Sequence, residues 1–408
     1  MSLMNTIAVR LTLFLTCAAS LSMAQDNPIA LVNGNVFNGV DEEIRRDVTV
    51  LINAGRIERI LETGTPLPAE YDAIDLNGFY LMPGLIDVHT HLASLDQARR
   101  ALESGVTTVR SASVSAFQDV ALRDLARSGA IPGPDVIPAG IFVTPDLGET
   151  LLADPRLGAL VDGVRTDDEL RLLVNINADR GAQVIKTRGT ERAGLIDNDP
   201  RKQVYSRHQL RVIVEEARRR NMDVLVHAYG DEGARAAVLA GARSIEHGAY
   251  LSTETLEIMR DRGTWLVPTY VTIDGMASNS SSALLRLRGK MMLPGLEEVI
   301  RQADALGVNI ATGVDTNYGP TSLSRISIEL EQFVRLGMSN VKALQAATVS
   351  AAELLRVQEQ TGRIEAGFEA DMILIPENPL TNIEAVQDVL LVVSNGQIAL
   401  QRFPFAVQ

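Results

Sequence analysis

Two histidines one residue apart, His89 and His91, close a short apolar run at residues 85–88. A run of that length fits a buried strand, and residues i and i+2 of a strand point to the same side. Both imidazoles can then reach one divalent metal ion from a single strand end. His227, His247, Asp315 and Lys186 each end another such run. Histidine nitrogens and carboxylate oxygens are ordinary zinc ligands. Four histidines and one aspartate fill two metal sites only if something bridges them, and Lys186 is the candidate. An ammonium cannot ligate a cation, but a buried lysine has a lowered pKa. Its neutral amine can react with carbon dioxide to give an anionic carbamate with one oxygen for each metal. N6-carboxylated Lys186 is therefore the expected bridging ligand. Two ions about 3.5–4 Å apart can share a hydroxide that is nucleophilic at neutral pH, and can polarise a substrate carbonyl. Asp315 is expected to orient that hydroxide, take its proton and pass it to the leaving nitrogen. The implied reaction is hydrolysis of an amide or a related acyl bond.

The elements that must hold these residues follow a strand–helix rhythm. Apolar strand candidates fall at residues 85–88, 106–109, 135–143, 183–186, 223–227, 243–247, 264–269 and 308–315. Between them, Ser94 with Gln97, Ser115 with Gln118, Thr166 with Glu169 and Ser206 with Gln209 have the spacing of helix-capping boxes. Eight strands alternating with helices predict an α/β chain folded as a closed (β/α)8 TIM barrel. Active sites of such barrels lie at the C-terminal strand ends, which is where four of the five histidines fall. The fifth, His208, starts a predicted helix and is expected to face solvent. Residues before and after the barrel have the short runs and Asn-Gly turn pairs of β structure. The expected organisation is a small β-sandwich domain formed by residues 25–80 and 359–408, flanking a barrel over residues 81–358. Residues 340–355 read as one helix.

A net charge of -13 argues against a nucleic-acid partner, which needs a basic face. Residues 1–24 have the pattern of a secretory signal peptide, with cleavage expected after Ala24. The sole cysteine, Cys17, lies inside it, so the mature chain is expected to have no disulfide and to be secreted or periplasmic. No other apolar run approaches membrane-spanning length. A homo-oligomer is compatible with the sequence.

The chain resembles the metal-dependent amidohydrolase superfamily. The resemblance is carried by Pro83-Gly-Leu-Ile-Asp-Val-His-Thr-His91, Val184-Ile-Lys186, Val224-Leu-Val-His227, Thr312-Gly-Val-Asp315 and Gly367-Phe-Glu-Ala-Asp371. Ser244-Ile-Glu-His-Gly248 and Val267-Pro-Thr269 are similar to the branch of imidazolonepropionase-like proteins and prolidase-type (Xaa-Pro) dipeptidases. This implies that His89, His91 and Asp315 hold the more buried metal, that His227 and His247 hold the other, and that Lys186 bridges. It also implies that Tyr229 contacts the reacting carbonyl, where a hydroxyl can stabilise an oxyanion. Zinc is the expected metal, although manganese and cobalt accept similar ligands. The implied substrates are small dipeptides or N-acyl amino acids. Alternatives are cyclic amides, lactones or esters, and a non-catalytic periplasmic binding protein. Relatives often carry Gly-Gly-His after the third strand, where this chain reads Thr144 to Thr150 without histidine, and an aspartate where this chain has Ser111. Arg110 and Arg188 lie just past strand ends, where either a substrate carboxylate or a structural ion pair could engage them. Residues 271–290 form a long connection that could be a lid or a surface loop.

Overall fold

The computed structural model describes residues 28–402 apart from residue 281; the expected signal segment, with Cys17, lies outside the described residues. Strands β1 (Ile29–Val36), β2 (Arg45–Asn53) and β3 (Arg56–Leu61) form an antiparallel meander. The β2–β3 turn is Ala54-Gly55, both residues at positive φ, which matches the twist of a hairpin. β4 (Asp72–Asp75) and β5 (Tyr80–Pro83) lie parallel to β1.

The chain then enters a parallel series. β6 (Leu85–Thr90), β7 (Val106–Ser111) and β8 (Asp135–Pro138) make a three-stranded sheet. β9 (Val184–Arg188), β10 (Asp223–Gly230), β11 (Ser244–Tyr250) and β12 (Trp265–Val267) make a four-stranded one. Helices connect most of these strands, and both sheets are parallel, giving a TIM-barrel-like α/β fold. Ile86, Val88, Trp265, Val267 and Ala311 are buried in one apolar cluster, in which each Ile or Val side chain contributes roughly 1.5–3 kcal/mol by burial.

The chain finally returns to its beginning. β13 (Met372–Ile375), β14 (Leu391–Ser394) and β15 (Gln397–Gln401) follow the helical region. β13 pairs antiparallel with β5, setting Met372 opposite Pro83 and Ile375 opposite Tyr80. The N- and C-terminal segments thus share one eight-stranded sheet, ordered β15-β14-β13-β5-β1-β2-β3 with β4 beside β1. Leu31, Val50, Ile57, Leu81, Met372 and Val393 form its core.

Several elements differ from expectation for local reasons. The third parallel strand, β8, ends at Pro138 and not at residue 143, because Gly140 turns the chain at φ +66, where a Cβ would meet Asn177 Oδ1 at 2.6 Å. Val143 then bridges back to Thr187. Residues 308–316 form no regular strand, yet hydrogen-bond on both sides: Ala311 N–H to the Leu266 carbonyl (3.1 Å), and Asp315 N–H to the His89 carbonyl (2.8 Å). Residues 340–355 are two helices, Asn340–Ala346 and Val349–Leu355. The break frees the Ala346 and Ala347 carbonyls to accept from the Thr312 and Ile86 amides at 2.9 and 2.8 Å. The capping boxes at Thr166 and Ser206 form. At the second site Phe117 is the N-cap, in the left-handed region, and the Gln118 carboxamide accepts from Ala116 instead. Among the described residues, no helix is long and apolar enough to cross a membrane.

Candidate metal centre

All six expected ligands meet in one cavity of about 550 Å3, with Tyr229 in its wall. His89 and His91 come from the end of β6, Lys186 from β9, His227 from β10 and His247 from β11. Asp315 comes from the segment lying between β12 and β6. Alternation along β6 sends His89 and His91 to one side, as their spacing requires. His247 and Asp315 reach the cavity by a different route, at φ 76 and 47. Thr269 and Ser113, which hold two of the histidines, also have positive φ, at 49 and 109. Each such non-glycine position costs of order 1–3 kcal/mol, and such strain clusters at functional sites.

Each of the four cavity histidines spends one ring nitrogen on an oxygen and leaves the other facing the cavity. His89 Nδ1 lies 2.5 Å from Glu246 Oε2. His91 Nδ1 donates to the Ser113 carbonyl at 2.7 Å. His247 Nδ1 meets Thr269 Oγ1 at 2.7 Å, and His227 Nε2 donates to the Glu191 carbonyl at 3.2 Å. Such outer partners fix the tautomer and orient a metal ligand. The remaining atoms form two groups. His91 Nε2 and His89 Nε2 lie 3.0 and 3.5 Å from Asp315 Oδ1. His227 Nδ1 lies 2.8 Å from His247 Nε2. Lys186 Nζ approaches the first group, 3.3 Å from His89 Nε2. Ligand atoms around a tetrahedral zinc, with bonds of about 2.0–2.1 Å, stand roughly 3.3 Å apart. The donor set and its spacings therefore fit divalent metal binding.

The electrostatics suit the same purpose. Burial, aided by the Lys186 charge, lowers His89 to about 4 and holds His227 well below its ordinary value. Burial and the neighbouring His227 do the same to His247. Neutral imidazoles are the ligating form. Burial lowers Lys186 to about 8, against the opposing pull of Glu246 and Asp315. Burial alone would raise Asp315, but His89, His91 and His247 hold it well below the usual carboxylate range. Burial and the Asp315 charge push the Tyr229 phenol well above its usual value, so it remains a hydrogen-bond donor. Its ring stacks on His247, with centroids 4.6 Å apart.

A supporting layer went unassigned in the sequence. Glu246 is fully buried and is held by Arg110 at 2.9 Å and by Ser244, so Arg110 makes a structural ion pair. Burial would raise Glu246, yet Arg110 and His89 keep it at about 2. Asp87 accepts from the amides of His89 (3.0 Å) and Val314 (3.3 Å) and from the Tyr318 hydroxyl (2.8 Å), tying β6 to the Asp315 segment. Glu246 lies within a recognised motif. Strict alternation, however, sends it away from His247, and only the left-handed turn at His247 lets both serve the site. Arg188 pairs with Glu191 at 3.0 Å. His208 is exposed and meets Asp167 at 3.0 Å. Thr144, Asp146, Leu147 and Thr150, from the stretch that carries no histidine, line the cavity. The expected long connection is two helices, Tyr270–Asn279 and Ala283–Leu306, with Thr272 and Met276 in the cavity wall.

A TIM-barrel-like α/β fold with histidines converging from its strand ends and an aspartate beside them has the donor set for metal-assisted hydrolysis. The amidohydrolase family pattern matches residues 80–399, and the chain belongs to that family. It is 32% identical over 353 residues to ochratoxinase of Aspergillus niger, covering 76% of this chain and 72% of the relative. It is 23% identical over 390 residues to imidazolonepropionase of Kosmotoga olearia, covering 86% and 89%. The crystal structure of a Xaa-Pro dipeptidase with methionine in its active site superposes with a TM-score of 0.81 at 27% identity, covering 91% of this chain and 99% of that one. The protein is thus an enzyme acting on carbon–nitrogen amide bonds of a small-molecule substrate.

Proposed function

We propose that this chain is a binuclear metal-dependent amidohydrolase that cleaves the amide bond of small dipeptides or N-acyl amino acids. The observation that carries the reading is that four histidines from three strands each commit one ring nitrogen to an oxygen and turn the other toward the same cavity. His89, His91 and Asp315 would hold one ion, His227 and His247 the other, and N6-carboxylated Lys186 would bridge them. A lysine lowered to about 8 has a reactive amine fraction near neutral pH. Divalent ions, with zinc the expected species, supply Lewis acidity and a nucleophilic water at neutral pH. Asp315, ionised beside the ligands, takes a proton from the attacking water and returns it to the leaving nitrogen. Tyr229 donates its hydroxyl to the developing oxyanion.

The wider reading is that the two parallel sheets and residues 308–316 close one barrel, supported by the bridges at Val143, Leu266 and Thr90. In the same reading, residues 25–80 and 359–408 make one β-sandwich domain, and residues 1–24 are removed on export.

Product release from a library of dipeptides and N-acyl amino acids by zinc-loaded mature protein tests the function. Turnover sorted by the residue on the amine side is expected. Silence across the library with metal bound points to cyclic amides or lactones. Silence without metal binding removes the catalytic reading.

A further inference from the structure

Dipeptides and N-acyl amino acids share a free carboxylate, and hydrolysis needs that end of the substrate held still. One side chain in the cavity wall is suited to it. Apart from the candidate ligand residues, Arg192 is the only cationic residue lining the cavity among the described residues. It is exposed, and its guanidinium makes no hydrogen bond or ion pair among the described residues. The arginines just past the strand ends are already engaged, Arg110 with Glu246 and Arg188 with Glu191.

The backbone around Arg192 is held firmly although its side chain is free. Glu191 accepts from His227 through its carbonyl, donates its amide to the Lys202 carbonyl at 3.0 Å, and takes Arg188 and Asn198 on its carboxylate. On the other side, Arg288 from the helix Ala283–Leu306 donates to four carbonyls at 2.6–3.0 Å: Ala193, Leu195, Ile196 and Asn198. Arg192 sits between these anchors. A loop fixed on both flanks presents one uncommitted, planar, always-charged fork to a cavity of small-molecule size. Phe142, Leu147, Leu195 and Met276 supply apolar wall around it.

We propose that Arg192 is the carboxylate receptor of this site. It takes the α-carboxylate of the amino-acid leaving group as a bidentate ion pair. The preferred substrates are then acyclic amides with a free carboxylate on the amine side, and neutral cyclic amides, lactones and esters are disfavoured. The proposal rests on the amide-hydrolase reading above. The loop's backbone anchors do not involve the Arg192 side chain, so an exposed substitution there leaves the fold and the metal centre intact.

The test uses metal-loaded full-length mature enzyme and a matched pair: an N-acyl amino acid that it hydrolyses, and the C-terminal carboxamide of the same compound. Wild-type enzyme is expected to prefer the acid in kcat/KM by about 10–100-fold, the range of a charge-assisted bidentate contact. In Arg192→Gln that preference falls to near one through a rise in KM for the acid, and Arg192→Lys recovers part of it. Metal content and melting temperature, measured alongside, stay at wild-type values. Equal use of acid and carboxamide by the wild type, or an acid preference unchanged in Arg192→Gln, overturns the assignment of Arg192 and leaves the amide-hydrolase reading standing. Absence of turnover of any dipeptide or N-acyl amino acid by metal-loaded wild type overturns that reading, and the Arg192 proposal with it.

Discussion

The candidate metal centre and the junction of β8 with β13 each gather ionisable groups around a buried one, with opposite results. At the candidate metal centre, burial drives imidazoles toward their neutral form, while Arg110 helps hold Glu246 at about 2 and Asp315 is held well below the usual carboxylate range. At the junction, Asp135, Glu369 and Asp371 bring carboxylate oxygens within 4.8 Å of one another. Asp135 and Glu369 line a second cavity there, of about 840 Å3. Burial, with Asp135 as a like-charged neighbour, raises Asp371 to about 7. Its oxygens accept from Thr361 (2.8 Å) and the Asn395 amide (2.8 Å), groups on the segments that flank β13. The same desolvation therefore makes neutral ligands of histidines and a near-neutral joint of a carboxylic acid. What separates the two is counter-charge: an arginine is placed against Glu246, whereas among the described residues no basic side chain hydrogen-bonds to or pairs with Asp371.

Substitutions at the two clusters should separate them by kind as well as size. The largest effect is expected from Asp315→Asn, which keeps shape and removes the proton acceptor: kcat should fall about 10²–10⁴-fold. Stopped assays at saturating substrate measure this, and a near wild-type rate would remove the proton-transfer role. Next is Glu246→Gln, which leaves His89 without its charged partner. Metal affinity should weaken about 10–100-fold, as for other outer-layer partners of metal ligands, with the shift read by chelator competition. The smallest effect is at the joint. Asp371 has a folded pKa above its ordinary 3.8, so its contribution to stability is full below about pH 4 and is lost as pH rises through about 7. Three pKa units correspond to at most about 4 kcal/mol. Asp371→Asn mimics the protonated acid, so the variant should flatten the fall in stability between those pH values and match or exceed the wild type above pH 7. Denaturant unfolding across that range measures it, and parallel wild-type and variant profiles would show that the group is ionised in the fold. Catalysis at fixed pH should be unaffected.

That the candidate ligand residues would cluster was legible because metal chemistry restricts residue type and strand geometry restricts spacing. His89 and His91 declare both at once, and each remaining ligand ends an apolar run. The supporting residues were not legible for conformational reasons. Glu246 and His247 are neighbours that alternation should send to opposite faces, and only the left-handed backbone at His247 brings both to the centre. Arg192 sits in a loop whose path depends on Arg288, nearly a hundred residues away. The eighth strand was an apolar run like the others, yet residues 308–316 bond to their neighbours through scattered contacts and not a regular ladder. The single helix expected over residues 340–355 is broken because its carbonyls are needed by Ile86 and Thr312. That demand comes from segments distant in sequence and leaves no local trace.

The bridging role of Lys186 is the central claim, and metal stoichiometry tests it most directly. Purified wild type and Lys186→Ala, both loaded with excess zinc and desalted, would be measured by inductively coupled plasma mass spectrometry, with amide turnover assayed on the same samples. Two ions per chain in the wild type, with metal and turnover lost together in Lys186→Ala, is the predicted result. Two retained ions and full turnover in Lys186→Ala would contradict it.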